Sequence, residues 1–485
     1  MFDVQCSSRT SSDSFSTITS GPMGTFILLT LVAGHLLGWC FVPQLILQKK
    51  PPRVTLAWLF ALWFIPVLGV LFYLFVGTDR LRRQRLKRTH YLDRTTDPAP
   101  ATPTSEHSLL EQLSTLSGNP VVDLCNVKTY AHGTFFFKAL TEAIEGAQER
   151  ILMQFYTWRA DARGRQLLGA LTDAARRGVR VYLLCDELGS METRDRFFAP
   201  LREAGGCFSW FYTVHPRRNR FFLNLRNHRK ITVIDDTLGF LGGMNVGLEY
   251  EGKAPDTPEW HDLQVRVAGP MVQQLGHSFI DDWHFATQEE LSFPAPERNP
   301  FHDGAEGVLV ESGPDHQSGR YLMALSLLLH HARKTVDLFT PYFVPPTALL
   351  HEIKLCAARG VKVRLMICSR SDIRFLIDVS RSFYRELTDY GVSIYEYGKG
   401  VHHSKLVIAD DRWISVGSAN LDIRSLEVNF EVGMFLDDPE TAAALQRHLQ
   451  PFFDASKRID PAQLENLPLG RRLREGSFRL LAPML

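Results

Sequence analysis

The chain has 485 residues, 45% of them hydrophobic and 22% charged, with 54 Lys and Arg against 53 Asp and Glu. That length suits two or three domains, the apolar share implies a packed core rather than a disordered chain, and a net charge of +1 gives no global basic field for nucleic acid. Seven scattered cysteines (Cys6, Cys40, Cys125, Cys185, Cys207, Cys356, Cys368) form no CxxC pair, which points to reduced, cytosol-facing thiols rather than disulfides or a zinc site.

Residues 1–22 are rich in Ser and Thr and read as a disordered tail, with Met23 a second candidate start. Residues 23–80 read as a transmembrane helical hairpin. Gly21 to Gln48 and Val54 to Thr78 each lack Asp, Glu, Lys and Arg, and each exceeds the roughly 20 residues that cross a bilayer core. A second span so close behind the first argues against a cleaved signal peptide. Trp39, Trp58, Trp63 and Tyr73 are available as interfacial or packing aromatics. The loop between the spans carries Lys49, Lys50 and Arg53. The stretch after them carries Arg80, Arg82, Arg83, Arg85, Lys87 and Arg88. Positive charge favours the cytoplasmic side, so the expectation is a multi-pass protein of the bacterial inner membrane with its catalytic domain in the cytoplasm. Residues 81–117 are a basic segment and a linker containing DPAPATPTSE.

From there the chain alternates strand-like and helix-like segments, the signature of an α/β fold. ERILMQFYTW from Glu149 leads into a helix ending AARRGV and the strand VRVYLLC. KTVDLFTPYFV from Lys334 leads into a helix ending AARGV and the strand KVRLMIC. Gly178 and Gly360 stand where a helix C-cap glycine belongs. This is a duplicated domain, expected at 118–290 and 306–455 as a pseudo-twofold pair, followed by a C-terminal segment, 456–485.

The repeat is sharpest in NHRKITVIDDTLGFLGGMN from Asn227 and HSKLVIADDRWISVGSAN from His403. His228, Lys230, Asp235, Gly242 and Asn245 recur in register as His403, Lys405, Asp410, Gly417 and Asn420. Residues i and i+2 of a strand face the same way, so each His projects with its Lys while Arg229 and Ser404 point away. The Gly242-Gly243 and Gly417-Ser418 pairs allow a close approach that returns Asn245 and Asn420 to the lysines. Two His, two Lys and two Asn in one site suit attack on a phosphodiester. One imidazole is the nucleophile and the other the general acid, while ammonium and amide groups hold the non-bridging oxygens. A metal is not needed, and a lysine beside each histidine would repel one.

These two HxKxxxxD stretches, followed by GGxN and GSxN, resemble the phospholipase D superfamily. AWLFALWFIPVLGVLFYLFVGTDR, NLRNHRK, TPYFVP at Thr340, NLDIRSLEVNFE and the ending RLLAPML resemble bacterial cardiolipin synthases, from about Leu47 to Leu485. The resemblance implies two phospholipase D-like domains, each a mixed sheet flanked by helices, and no cofactor. It implies a covalent phosphatidyl-histidine, with His228 as nucleophile and His403 as acid and base, the reverse assignment remaining open. Lys230, Lys405, Asn245 and Asn420 would bind phosphate.

Asp235 and Asp410 belong to the motif's catalytic set by resemblance. Their odd spacing from Lys, however, faces them away from the pocket, toward a turn or a buried basic group. Each imidazole still needs an acceptor for its other nitrogen, and Asp262 and Glu431 are the candidates. WFYTVHPRRNRFFLNLR from Trp210, with Arg217, Arg218, Arg220 and Arg226, reads either as an anionic-membrane contact or as a solvated loop. The expected reaction joins two phosphatidylglycerols into cardiolipin with release of glycerol. Its partners are then phospholipids and the membrane, not nucleic acid. The alternative is a phosphodiesterase of the same superfamily that hydrolyses phospholipid or nucleic acid.

Overall fold

A computed structural model describes residues 22–47, 52–74, 108–211, 226–254, 258–293, 305–314, 319–370, 374–480 and 482. The N-terminal tail, the basic segment after the second span, the DPAPATPTSE linker and all but the ends of the Trp210 to Arg226 stretch lie outside them. The chain divides into two units, Met1–Gln84 and Arg85–Leu485.

In the first unit, helix Pro22–Leu47 contains a 23-residue apolar span, Thr25–Leu47, and among the described residues it alone is long and apolar enough to cross a membrane. The second apolar run departs from the expected continuous span. It forms two helices, Pro52–Phe64 and Pro66–Phe72. Proline disfavours helical backbone in the residue before it, and Ile65 sits at φ −132°, ψ 61°. The 13 residues of the first piece rise only about 20 Å, short of a core of about 30 Å. The helices pack closely: a Cβ on Gly34 would lie 3.0 Å from Val67 Cγ2, and His35 Nε2 is 3.0 Å from the Trp63 carbonyl oxygen.

The second unit is built on one 15-stranded mixed sheet. From its middle outward, the first half runs Val122–Tyr130, Gln264–Ala268, Leu238–Gly242, Ile231–Ile234, Arg150–Phe155, Arg180–Cys185 and Cys207–Trp210. The second half repeats that order with Ala305–Ser312, Glu431–Asp437, Trp413–Gly417, Leu406–Ala409, Thr335–Phe339, Lys362–Cys368 and Ser393–Tyr397, and Lys457–Arg458 closes its edge. The halves join where Val122–Tyr130 pairs antiparallel with Ala305–Ser312, Val122 opposite Gly307. Arg150–Phe155, Arg180–Cys185 and Cys207–Trp210 are parallel, as are Thr335–Phe339, Lys362–Cys368 and Ser393–Tyr397. Parallel neighbours need crossover connections, which helices Ala162–Arg176 and Thr347–Ala358 supply. Strand Arg150–Phe155 is buried along its whole length, as a strand covered on both faces must be. Gly178 (φ 94°) and Gly360 (φ 89°) take the left-handed conformation that ends these crossover helices. Cys185, Cys356 and Cys368 are free and buried, while Cys40 is exposed on the first helix.

Two backbone links tie the halves together just before the paired motifs. Val401–His402 pairs in parallel with Trp260–His261, and His403 N–H donates to the His261 carbonyl at 2.6 Å. Asn227 bridges Phe430, and His228 N–H donates to the Phe430 carbonyl at 2.9 Å. Each histidine is therefore anchored by the opposite half.

Candidate active site

His228 and His403 each stand three residues before a strand, Ile231–Ile234 and Leu406–Ala409. The glycines that follow permit close strand contact. A Cβ on Gly242 would lie 2.3 Å from the Leu263 carbonyl oxygen, and one on Gly417 would lie 2.2 Å from that of Val432. That approach returns Asn245 and Asn420 to the histidines, and all four side chains line one cavity of about 390 Å³. Lys230 and Lys405 are buried beside them. Lys230 Nζ donates to the His228 carbonyl, and Lys405 Nζ to the His403 carbonyl at 2.5 Å.

The carboxylates reach the imidazoles crosswise. Glu431, from the second half, lies 3.0 Å from Nδ1 of His228 in the first. Asp262, from the first half, lies 2.8 Å from Nδ1 of His403 in the second. The two pairs are not identical. Glu431 also accepts from Ser418 Oγ at 2.5 Å and Asn429 Nδ2 at 3.2 Å. Asp262 instead faces Lys405 Nζ at 3.4 Å, and that ammonium sits 2.5 Å from His403 Nδ1 as well. Aromatic rings flank both imidazoles: Tyr156 edge-on to His228 at 4.9 Å, Trp260 and Tyr342 against His403 at 5.1 and 5.9 Å.

Burial sets the charges. It raises the Glu431 carboxyl, but His228, Lys230 and the Ser418 hydroxyl outweigh it and hold Glu431 below the usual range. Asp262 is likewise raised by burial and brought below its ordinary value by Lys405 and His403. For His228 burial wins over Glu431 and lowers the imidazole to about 4. Burial also brings Lys230 down to about 7, despite Glu431, with Lys405 adding repulsion. An imidazole at about 4 is neutral at pH 7, and with Nδ1–H given to Glu431 its remaining nitrogen carries the free electron pair.

Asp235 and Asp410, counted with the catalytic set by resemblance, are not on the cavity wall. Each caps the start of the adjacent strand of its own half. Asp235 accepts from the N–H groups of Gln148, Glu149 and Arg150 at 2.8, 2.7 and 3.0 Å. Asp410 accepts from those of Arg333, Lys334 and Thr335 at 2.7, 2.6 and 3.0 Å. Both sit at positive φ, 48° and 53°, which Asp tolerates better than most residues. Arg229 points away from the cavity, where its guanidinium meets Asp282 at 3.0 Å.

Several cavity residues carried no signal of their own in the motifs. Tyr156 and Tyr342 follow corresponding strands, in FYTW and TPYF, and a comparison of strand ends would have found them. Arg226 is buried on the cavity wall rather than at a membrane or solvent surface, and Arg424 joins it there. Asp186 accepts from the Asn227 N–H at 2.9 Å and so fixes the approach to His228.

The chain matches the family model described as cardiolipin synthase, phospholipase D-like domain, at residues 140–251 and 325–452. Residues 36–77 match the phospholipase D-nuclease N-terminal model. It is 34% identical over 453 residues to a cardiolipin synthase of Geobacillus kaustophilus, covering 90% of each chain. The chain belongs to the cardiolipin synthase family. Cardiolipin synthase A of Pseudomonas aeruginosa is 33% identical over 477 residues, covering 95% of this chain and 96% of the relative. In fold, the phosphatidylserine synthase of Haemophilus influenzae superposes with a TM-score of 0.60 at 16% identity, over 78% of this chain and 100% of that one. Membership makes the protein an enzyme of the phospholipase D superfamily and places it with bacterial membrane proteins acting on phospholipids.

Proposed function

We propose that this cardiolipin synthase family member joins two phosphatidylglycerols into cardiolipin and glycerol through a phosphatidyl-histidine, with His228 as nucleophile. One observation carries the reading: both imidazoles line a single cavity, each with Nδ1 held by a carboxylate of the opposite half. In the first step Nε2 of His228 attacks phosphorus. The bond from phosphorus to the glycerol oxygen breaks, and His403, protonated, gives that oxygen its proton. In the second step a hydroxyl of the other phosphatidylglycerol returns a proton to His403 and attacks phosphorus. The P–N bond breaks and His228 is regenerated. Lys230, Lys405, Asn245 and Asn420 hold the non-bridging oxygens through both steps.

The neutrality of His228 favours it as the attacking group. Burial lowers Arg226, and Arg424 lowers it further by repulsion. Two guanidinium groups on the same wall suit a second phosphate and repel an ammonium, which supports an anionic acceptor, phosphatidylglycerol, over a zwitterionic one. The two catalytic halves are bounded at 118–290 and 306–455, and the N-terminal hairpin holds them at the bacterial inner membrane from the cytoplasmic side.

Purified full-length protein given phosphatidylglycerol in mixed micelles should form cardiolipin and glycerol in equal amounts, and added glycerol should reverse the reaction. His228→Ala should abolish both turnover and the phosphatidyl-enzyme trapped by acid quench. Phosphatidic acid as the main product at every lipid density would overturn the synthase reading.

A further inference from the structure

A second cleft, of about 900 Å³, shares no lining residue with the catalytic cavity. Its floor is formed by strands Val122–Tyr130 and Gln264–Ala268, and Leu445 and His448 of helix Pro439–Asp454 reach it from the second half. Lys128 and Arg266 lie directly opposite each other on those antiparallel strands. Like charges in that relation destabilise a sheet, and neither makes an ion pair with another described residue. The ladder register shifts between Cys125 and Lys128, and such bulges re-aim a side chain and recur beside functional sites. Lys138 joins the two cations on the cleft wall, and the single acid there, Glu142, is 3.9 Å from it across exposed helix surface.

Two polar atoms in this cleft lack partners. The Tyr130 hydroxyl is buried, the residue being only 5% exposed, and it makes no hydrogen bond among the described residues. The buried Nε of Arg266 makes none either. Burial raises the Tyr130 phenol, and the charge and hydrogen-bonding reach of the neighbouring Arg266 oppose it, so the two groups lie side by side. Buried donors without acceptors are costly. A ligand with anionic oxygens would relieve the repulsion between Lys128 and Arg266. Beyond Thr129, His132 and His448, the remaining wall is apolar, with Phe240, Leu263 and Leu445 behind an exposed Phe135.

We propose that this cleft is a second, non-catalytic site for a phosphate-bearing ligand, held by Lys128 and Arg266. Its source is either the headgroup of an anionic phospholipid, with the apolar wall taking the adjoining glycerol and first acyl carbons, or a small soluble phosphate ester. Both share the same charge-assisted hydrogen bonds.

The test uses full-length protein carrying His228→Asn, so that lipid is bound but not turned over. Native mass spectrometry in detergent counts bound phosphatidylglycerol, with phosphatidylcholine as the zwitterionic control. Calorimetry measures sn-glycerol 1-phosphate in a separate arm. Lys128→Gln with Arg266→Gln should weaken one bound phosphatidylglycerol by about tenfold or more, the equivalent of one lost charged hydrogen bond. Phosphatidylcholine should not compete. Loss in the lipid arm alone identifies a lipid headgroup, and loss in both arms identifies the phosphate group as sufficient. Should the double variant fail to fold, the exposed Lys128→Gln carries the same measurement alone. Unchanged binding in both arms by folded variants overturns the proposal.

Discussion

Each imidazole has one nitrogen committed to a carboxylate, so the amide variants test orientation apart from bulk. Glu431→Gln and Asp262→Asn keep the shape but can donate to Nδ1 and impose the wrong tautomer. Turnover of folded protein should fall by about 10²- to 10⁴-fold, by analogy with the orienting aspartate of hydrolase triads. The two need not be equal, because Glu431 is shared with Ser418 and Asn429 whereas Asp262 is shared with Lys405. Full activity in either variant would remove the orienting role. Lys230 supports a second prediction. With burial lowering its ammonium to about 7, binding a phosphodiester favours the charged form and takes up a proton. The affinity of the competitor glycerophosphoglycerol should therefore weaken as pH rises through 7, by at most one decade per unit, and a flat profile would refute this. At this scale His228, Lys230, Asn245 and their counterparts were legible because the duplication repeats their spacing. The crosswise pairing was not. Strand alternation tells which face a carboxylate takes, but not which half supplies its partner.

Among the elements, the turn after each motif strand does structural work. Three backbone N–H groups converge on Asp235, and three on Asp410. Asp235→Ala leaves those donors without their carboxylate and puts a less suited residue at positive φ, a loss of about 2–3 kcal/mol. Asp235→Asn keeps one acceptor oxygen and should lose less. Thermal denaturation should show the drop in that order, while kcat of the folded fraction stays within a few-fold. A collapse of kcat at unchanged stability would return Asp235 to the chemistry. The odd spacing from Lys makes this placement readable in the sequence. The broken second apolar run was readable only in part. Its lack of charge was plain, but hydropathy does not register that Pro66 redirects Ile65, and the break follows from backbone sterics alone.

For the molecule as a whole, the two-half sheet was legible because each half repeats its strand, helix and glycine cap in the same order. Its continuity was not, because the joining strands Val122–Tyr130 and Ala305–Ser312 carry no motif and pair through backbone alone. The hairpin sets the remaining prediction. The six basic residues after the second apolar run outnumber the three between the runs, and positive charge favours the cytoplasmic side. Protease added outside intact cells should leave the catalytic halves uncut until the inner membrane is opened. Cleavage by protease confined to the periplasm would reverse the topology.

The exchange of carboxylates between halves has a consequence for descent. A gene copy encoding one half would carry an imidazole whose tuning group lies on the other, so a lone half would reach competence only by meeting a second. Once fused, neither copy could drift alone. A change at Glu431 is felt at His228 and a change at Asp262 at His403, and selection therefore acts on the pair as a single inherited character. Severing the chain within 294–304, between the halves, should yield two inert fragments whose activity returns only on co-expression.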